Sequence, residues 1–396
     1  MTVVNPLILT LNSGSSSIRF SLYQLGTSLE RRLHGKLDGI GLRTPLLTFT
    51  GVDGLPHECR CPAALDAPSA IKVLLDWFDT QQSFTSVSAI GHRLVHGTRH
   101  LEPETVTQDL LDELRRLACI HPDHLPREIE LIEALAARRP TVPQVACFDT
   151  ALHRDTPRLA KQLTLPRWLD AQGVQRYDFH GLSYAFLMEE LTRTAGLAAA
   201  QGRVILAHLD NGASMAAVKG GQSIDTSMGF TPTRGVPMRT RSGDSDLGLA
   251  LYLEKTEHMR SRQFVDGVNQ ETSADMRDLL ALEAADPRAA EAVALFCYQS
   301  KKCIGAYSAT LGGLDTLVFS GGIGENAPSV RTRICEGLSF LGIALDETLN
   351  LAGADVISSE GSPVCVRVIR SDEELMIARL VCRARGYTSP TAEVQP

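Results

Sequence analysis

RVILAHLDNGASMAAVKGGQSIDTSMGFTPTRGVPMRTRSGDSD, residues 203–246, opens with an apolar run from Val204 to Ala207 and breaks at the polar turn Asp210-Asn211-Gly212. It resumes from Ser214 to Val218 and stops at Gly220-Gly221, which predicts strand, turn, strand. Backbone N–H groups and short hydroxyls in such a turn make a concavity suited to phosphate. After Gly220 the segment reads as a polar loop. The same layout occurs near the N-terminus, where Leu7 to Leu11 is followed by Asn12-Ser13-Gly14-Ser15-Ser16-Ser17 and then Ile18, Phe20 and Leu22. Two such hairpins about half a chain apart imply an internal duplication.

A chain of 396 residues is long for one core, so two domains are expected. With 43% hydrophobic and 21% charged residues and a net charge of -7, nothing basic points to nucleic acid or an anionic membrane. No apolar run approaches a membrane span, and Leu7 to Leu11 is too short for a signal-peptide core, so a cytoplasmic protein is expected. The nine cysteines are scattered, and the lone Cys59-x-Cys61 pair lacks a second pair at zinc spacing. Reduced, packed thiols are the consistent reading. The C-terminal SPTAEVQP reads as a frayed tail.

Along the chain, strands are expected at 32–38 and 46–50 and a helix at 70–78. Val87 to Val95 is a strand that runs into His96-Gly97, and ligands usually sit at such strand ends in α/β sheets. Helices follow at 108–118 and 126–138, the second with Pro at its start and Arg at its end. Val142 to Phe148 is a buried strand ending in Asp149-Thr150, and His180 precedes a helix over 183–194. A histidine at a strand or helix end, such as His121, His153 or His180, is ordinarily satisfied by hydrogen bonds. Pro287 to Leu311 reads as one long helix, leading to a strand at 315–320, a glycine-rich turn GGIGENAP and a helix over 330–340. Strand, glycine turn and helix suit backbone approach to a nucleotide, although GGIGEN is neither G-x-G-x-x-G nor a P-loop. A strand at 364–369 precedes the last helix, whose first turn carries Asp372, Glu373 and Glu374. Strands followed by helix and strand alternation, twice over, predict an α/β chain of two similar halves with a cleft between them.

Ten segments, LTLNSGSSSIRFSL, GHRLVHG, CFDTALH, RYDFHGLSY, HLDNGAS, SIDTSMGFTP, PMRTRSGDSD, DMRDLL, FSGGIGENAP and SDEELMIA, resemble the motifs of the acetate kinase family, in order and across nearly the whole chain. The resemblance implies two duplicated actin-like (ribonuclease H-like) α/β domains, at 1–152 plus 376–396 and at 153–375, the second binding nucleotide and forming a homodimer. It implies reversible transfer of a phosphoryl group from ATP to acetate, giving acetyl phosphate and ADP, with Mg²⁺ or Mn²⁺. By motif position, Asn12 and Glu373 resemble the metal-binding pair. Arg93 resembles the arginine that contacts the acyl substrate. Arg241 and His180 match the transition-state stabilisers, and Asp149 matches the essential carboxylate, expected to orient an arginine or a metal-bound water. Val95, Ile120, Phe179 and Pro232 are expected to line the acyl pocket. Arg19, where many members have Lys, His208 to Gly212 (Leu209, Asp210 and Asn211 between them), Asp275, Met276, Arg277, Gly322, Ile323, Gly324, Glu325 and Asn326 match nucleotide-contacting positions.

Asp178 and Asp210 replace family glycines, Arg239 replaces another, Leu247 replaces a proline, and the stretch VNQETSADMR is altered. Aspartate tolerates positive φ better than most residues, so these turns are expected to survive. A carboxylate at Asp210 is expected to repel a triphosphate unless it points away or meets a cation such as Arg239. Propionate kinase is the alternative activity, since a methylene in such a pocket is worth only ~1–3 kcal/mol. A nucleotide-binding sensor that has lost transfer is opposed by the presence of Asn12, Arg93, Asp149, His180, Arg241 and Glu373. Two substrate-facing arginines suit an anion better than the neutral alcohol of a sugar kinase.

Overall fold

The computed structural model describes residues 5–387 apart from 15, 52, 63–64, 119–120, 123, 239–240, 259–272 and 274. Ile120, Arg239, most of the altered stretch before Asp275 and the SPTAEVQP tail lie outside the described residues, as does the side chain of Leu247. The chain divides into two compact units, Met1–Ala151 with Asp372–Pro396, and Leu152–Ser371.

The first unit holds one sheet of β1 (Leu7–Ser13), β2 (Ser17–Leu25), β3 (Leu29–Asp38), β4 (Leu46–Thr50), β5 (Pro56–Arg60), β6 (Val87–Leu94), β7 (Glu104–Thr105) and β8 (Gln144–Phe148), ordered β5-β4-β3-β2-β1-β6-β8-β7. The second holds β9 (Arg203–Leu209), β10 (Ala213–Lys219), β11 (Gln222–Thr226), β12 (Thr316–Ser320) and β13 (Cys365–Val368), ordered β11-β10-β9-β12-β13. Within both sheets lies the same five-strand order. Three successive antiparallel strands form a meander, and two parallel strands continue from the free side of the first. The duplication implied by the two hairpins is therefore a duplication of topology, the actin-like layout.

Burial explains which runs become central strands. From Val204 to Leu209 every residue of β9 is buried, and every residue of β12 is too. Strands covered on both faces read as continuous apolar runs rather than alternating ones. In contrast β5, which the sequence analysis missed, is exposed along its whole length and begins with Pro56. An edge strand buries little, so its pattern carries no apolar signal.

Helix Ala67–Thr80 starts on Asp66, whose carboxylate accepts the Ser69 N–H at 2.9 Å, and buries Ile71, Leu74, Leu75 and Phe78 against Phe20, Leu37 and Leu47. Helix Glu373–Arg385 packs against β6 at Gly91, where a Cβ would lie 2.5 Å from Ile377 Cγ2 and 2.6 Å from Val381 Cγ2. The unit boundary at Ser371/Asp372 falls before the expected residue 376 for a local reason. Asp372 caps this helix through the Leu375 N–H and pairs with Arg31 of β3, so the whole first turn belongs with the first sheet.

Three expectations for the second unit are corrected. GGIGEN is a short helix, Gly321–Asn326, rather than a turn. Its first residue has φ 79, and a Cβ there would sit 2.7 Å from the Leu209 carbonyl oxygen, so glycine is required on both counts. The helix expected over 330–340 ends at Cys335 because Gly337 takes φ 75, and Ser339–Leu341 is a separate 3-10 turn. The polar segment after Gly220 forms β11 and is buried from Thr226 to Gly229. There the hydroxyls serve the backbone: Ser227 Oγ accepts the Met215 N–H at 2.9 Å, and the Arg176 guanidinium donates to the Thr226 and Met228 carbonyls.

Gly91→Ala tests the helix-to-sheet approach. Overpacking of this kind costs about 1–3 kcal/mol, so urea denaturation should show a lower midpoint with an unchanged slope.

Candidate active site

In the first unit the end of β1 meets the start of the last helix. Asn12 sits opposite Arg19 across the hairpin, and its Nδ2 donates to Glu373 Oε2 at 2.7 Å. The Arg19 side chain lines a hollow of about 340 Å³ on the open face of β2 to β4, together with Arg31, His34, Lys36 and Glu374. Burial, then the neighbouring Glu373 carboxylate, raises the pKa of Glu374.

Parallel pairing of β6 with β8 brings a cation and an anion together where both strands end. Arg93 pairs in register with Cys147, and the Leu94 carbonyl accepts the Asp149 N–H at 2.9 Å.

 
That bond between the Leu94 and Asp149 backbones sets the two side chains side by side. Arg93 donates to Asp149 Oδ2 from Nε at 3.0 Å and from Nη2 at 2.5 Å. Arg93 is 11% exposed and Asp149 fully buried, so this is a charge-assisted pair shielded from water. Burial alone would lower the Arg93 pKa, but the carboxylates of Asp149, first, and Glu373 outweigh it and hold the guanidinium charged. The arginine expected to be oriented by Asp149 is thus Arg93. Val95, the next residue but one, is 3% exposed.

Glu128 is a site residue that the sequence analysis missed. It lies in the first turn of helix Leu125–Arg138, where an acidic residue reads as ordinary capping. Its Oε2 accepts the Val95 N–H at 3.0 Å, and its Oε1 lies 4.0 Å from Arg93 Nη1. The overlooked signal is its place on the apolar stripe of Leu125, Ile129 and Ile132, where a charged residue needs a reason. Nearby, the buried rings of His96 and His121 lie 4.9 Å apart. His96 Nδ1 accepts the Thr98 N–H, and burial, then His121, pushes its pKa down to about 3, so this ring is neutral.

In the second unit His180 takes the left-handed conformation, φ 61 and ψ 20, immediately before helix Gly181–Ala195. Non-glycine residues held there store strain and cluster at functional sites. His180 Nδ1 is 2.9 Å from Ser214 Oγ, which in turn bonds the Tyr184 hydroxyl. A Cβ on Gly212 would lie 3.2 Å from His180 Nε2 and 3.8 Å from Arg241 Nη1, so the β9–β10 turn gathers both side chains. The His208 ring is 4.8 Å from that of His180, and its buried Nδ1 has no hydrogen-bond partner among the described residues. Phe179 and Pro232 are both buried, and the Tyr177 N–H to Gly229 carbonyl bond, at 2.9 Å, ties their two loops together.

A cavity of about 500 Å³ in the same unit is lined by Asp210, Asn211, Asp275, Met276, Arg277, Gly322, Ile323 and Asn326, with Leu279, Leu280 and Phe296 among its apolar walls. The other nucleotide-motif residues do not line it. Leu209 and Gly324 are buried, and Glu325 Oε1 accepts the Gly321 and Ser371 N–H groups. Arg331, 1% exposed and not singled out in the sequence, donates to the Gly324 and Glu325 carbonyls and to Asn350. It fixes the carbonyl end of the Gly321–Asn326 helix.

Two departures from the family pattern now have a structural account. Neither Asp178 nor Asp210 has positive φ, so tolerance of that conformation, expected to rescue these turns, is not required. Asp178 is 1% exposed, accepts the Phe179 N–H at 2.8 Å and has Oδ2 3.0 Å from His153 Nε2. His153 Nδ1 in turn lies 2.7 Å from Ser223 Oγ. Asp210 faces the cavity, its Oδ1 accepting the Asn211 N–H at 2.8 Å and lying 3.0 Å from a Cβ built on Gly322. Its carboxylate adds to the field, dominated by the bonded Asp275, that raises the Arg277 pKa.

Comparison with known proteins places the whole chain in one family. The model of the Acetokinase family matches residues 7–379. The acetate kinase of Rhodopseudomonas palustris is 41% identical over 96% of this chain and 98% of its own. Among solved structures, Porphyromonas gingivalis acetate kinase superposes with a TM-score of 0.84 at 31% identity, covering 96% of this chain and 100% of that one. A propionate kinase from Francisella tularensis superposes with a TM-score of 0.87 at 31% identity, covering 95% and 98%. With a family match across nearly its whole length and both sheets in the family's topology, the chain belongs to the acetokinase family.

Proposed function

We propose that this chain catalyses reversible transfer of a phosphoryl group between ATP and acetate, giving acetyl phosphate and ADP by direct in-line displacement. The observation that carries the choice of acceptor is Arg93, a nearly buried guanidinium aimed by two bonds to Asp149 at the end of β6. Such a cation is preorganised for a small carboxylate.

Acetate is already ionised at pH 7, so its attack needs no strong general base. The barrier lies in bringing one anion to another. Arg93 binds and orients the carboxylate while Asp149 holds the guanidinium plane. Arg241 and His180, gathered at Gly212, offer donors to the equatorial oxygens of the transferring group, where positive charge is most effective. Ser214 fixes the orientation of the His180 ring through Nδ1. The second-unit cavity takes the nucleotide, its apolar wall of Leu279, Leu280 and Phe296 suiting the base and the bare backbone at Gly322 admitting close approach.

Asn12 and Glu373 fit a hard divalent cation, since the amide and the carboxylate each carry oxygen and the bond from Asn12 Nδ2 to Glu373 Oε2, at 2.7 Å, holds the two side chains together. Mg²⁺, or Mn²⁺ in its place, would be held there with substrate phosphates completing the shell, and when bound it supplies positive charge to the phosphate oxygens. Residues Leu251, Tyr252 and Tyr298 are exposed on two helices of the second unit, which supports a homodimer formed through that unit. Every described cysteine is a free thiol, and no helix among the described residues is long and apolar enough to cross a membrane. Both fit a cytoplasmic enzyme. The net charge of -7 favours small-molecule substrates over nucleic acid. Propionate is the second acceptor, favoured by the likeness to a propionate kinase.

A coupled assay with ATP, Mg²⁺ and acetate, propionate or butyrate side by side tests this reading. The highest kcat/KM is expected on acetate, with propionate within about 200-fold, the range that one methylene allows. In Asp149→Asn the aim of Arg93 is lost, and kcat/KM for acetate should fall by about 100-fold or more while circular dichroism stays native. Asp210→Asn keeps the Asn211 hydrogen bond and removes the charge facing the cavity. Its KM for ATP should fall about five-fold, the equivalent of ~1 kcal/mol between partly screened charges, and the difference should shrink in high salt.

A further inference from the structure

Glu128 has no part in the mechanism above, yet its placement is costly. At 2% exposure it occupies a core position of helix Leu125–Arg138, with one oxygen on the Val95 N–H and the other, Oε1, lacking a hydrogen-bond partner among the described residues. An ionised carboxylate buried with a single donor is poorly compensated. As a carboxylic acid the same group buries no charge and still accepts the Val95 N–H through its carbonyl oxygen.

The charged groups around it argue the same way. Across from Glu128 stand Arg93 on β6, which favours the ionised form, and Asp149 after β8, which opposes it. Asp149 already claims two donors of Arg93, whereas Glu128 Oε1 stays 4.0 Å away, beyond hydrogen-bonding distance. On its own helix the nearest ionisable neighbours in sequence are His124, Arg127 and Glu130, and none is among the groups that shift it. Burial dominates, and the pKa of Glu128 is pushed up to about 8. Arg93 also feels Glu373, so an ionised Glu128 would be a third carboxylate acting on one guanidinium.

We propose that Glu128 is a positioning residue for the acyl substrate: as a neutral acid it pins the Val95 backbone and leaves Arg93 the positive field that a carboxylate requires. Ionisation of Glu128 spends that field within the protein and turns the substrate away. The proposal rests on the assignment of a carboxylate acceptor to Arg93.

The test uses the full chain and follows KM for acetate and for ATP between pH 6.5 and 9.5. In the unaltered protein acetate KM should be about tenfold higher one unit above the Glu128 titration than one unit below it, because each unit of pH beyond the titration removes a factor of ten of the competent form. In Glu128→Gln, which keeps a carbonyl for the Val95 N–H, acetate KM should not vary with pH. In Glu128→Leu, which loses the pin, it should be raised at every pH. A purely structural Glu128 would leave the pH profile unmoved. An acetate KM that is flat with pH in the unaltered protein, or that rises equally in Glu128→Gln, overturns the proposal. Calorimetric titration with acetate over the same pH range separates this from the assigned reaction. Absent turnover, together with an acetate affinity whose pH dependence vanishes in Glu128→Gln, overturns the kinase reading and keeps the role of Glu128. An affinity independent of pH in the unaltered protein overturns that role instead.

Discussion

A guanidinium taken out of water must be paired, and the pairing of Arg93 with Asp149 is the constraint to which the first unit is built. Both residues stand where parallel strands end, and their separation is set by the register of β6 against β8. A register slip of one residue would turn Arg93 to the opposite face of the sheet and leave Asp149 buried without its cation. The helix Glu373–Arg385, which covers β6 at Gly91, therefore does more than fill the core. It locks the strand whose end carries Arg93, and its own first turn supplies Glu373 to Asn12.

The second unit solves a different problem with the same topology. Its hairpin turn carries Gly212, and the absence of a side chain there lets His180 and Arg241 approach from separate segments. The strain of His180 in the left-handed region is sustained by the helix it precedes and by the bond to Ser214. Asp178, two residues earlier, brings a carboxylate into this turn and finds His153 already there. A buried acid with a ready partner is tolerated, whereas Asp210, facing an open cavity, keeps its charge directed at whatever enters.

Legibility in the sequence followed burial. The central strands β1, β9 and β12 and the helix Pro287–Leu311 were readable because long apolar runs or regular spacings have few other uses. The exposed edge strand β5 and the buried polar stretch from Thr226 to Gly229 were not, since in both the side chains contradict the environment. GGIGEN was misread because glycine suggests a turn, while here Gly321 supplies close contact and positive φ at a helix start. At the site, residues within motifs were named through the resemblance alone. Glu128 and Arg331 were missed because their roles depend on partners distant in sequence, Val95 and Asn350, that no local pattern reveals.

The first unit is assembled from the two ends of the described chain, with the second unit inserted whole between Ala151 and Asp372. During synthesis the second unit is therefore complete before the helix that covers Gly91 has been made. Until then β6 presents a bare glycine face where Ile377 and Val381 will later pack, and Asn12 waits for Glu373. The nascent chain thus carries an unfinished sheet through some two hundred residues of translation, roughly tens of seconds at about 5–20 residues per second. Order of birth and order of completion are reversed in this molecule, and the half that begins first is the half most exposed to misassembly.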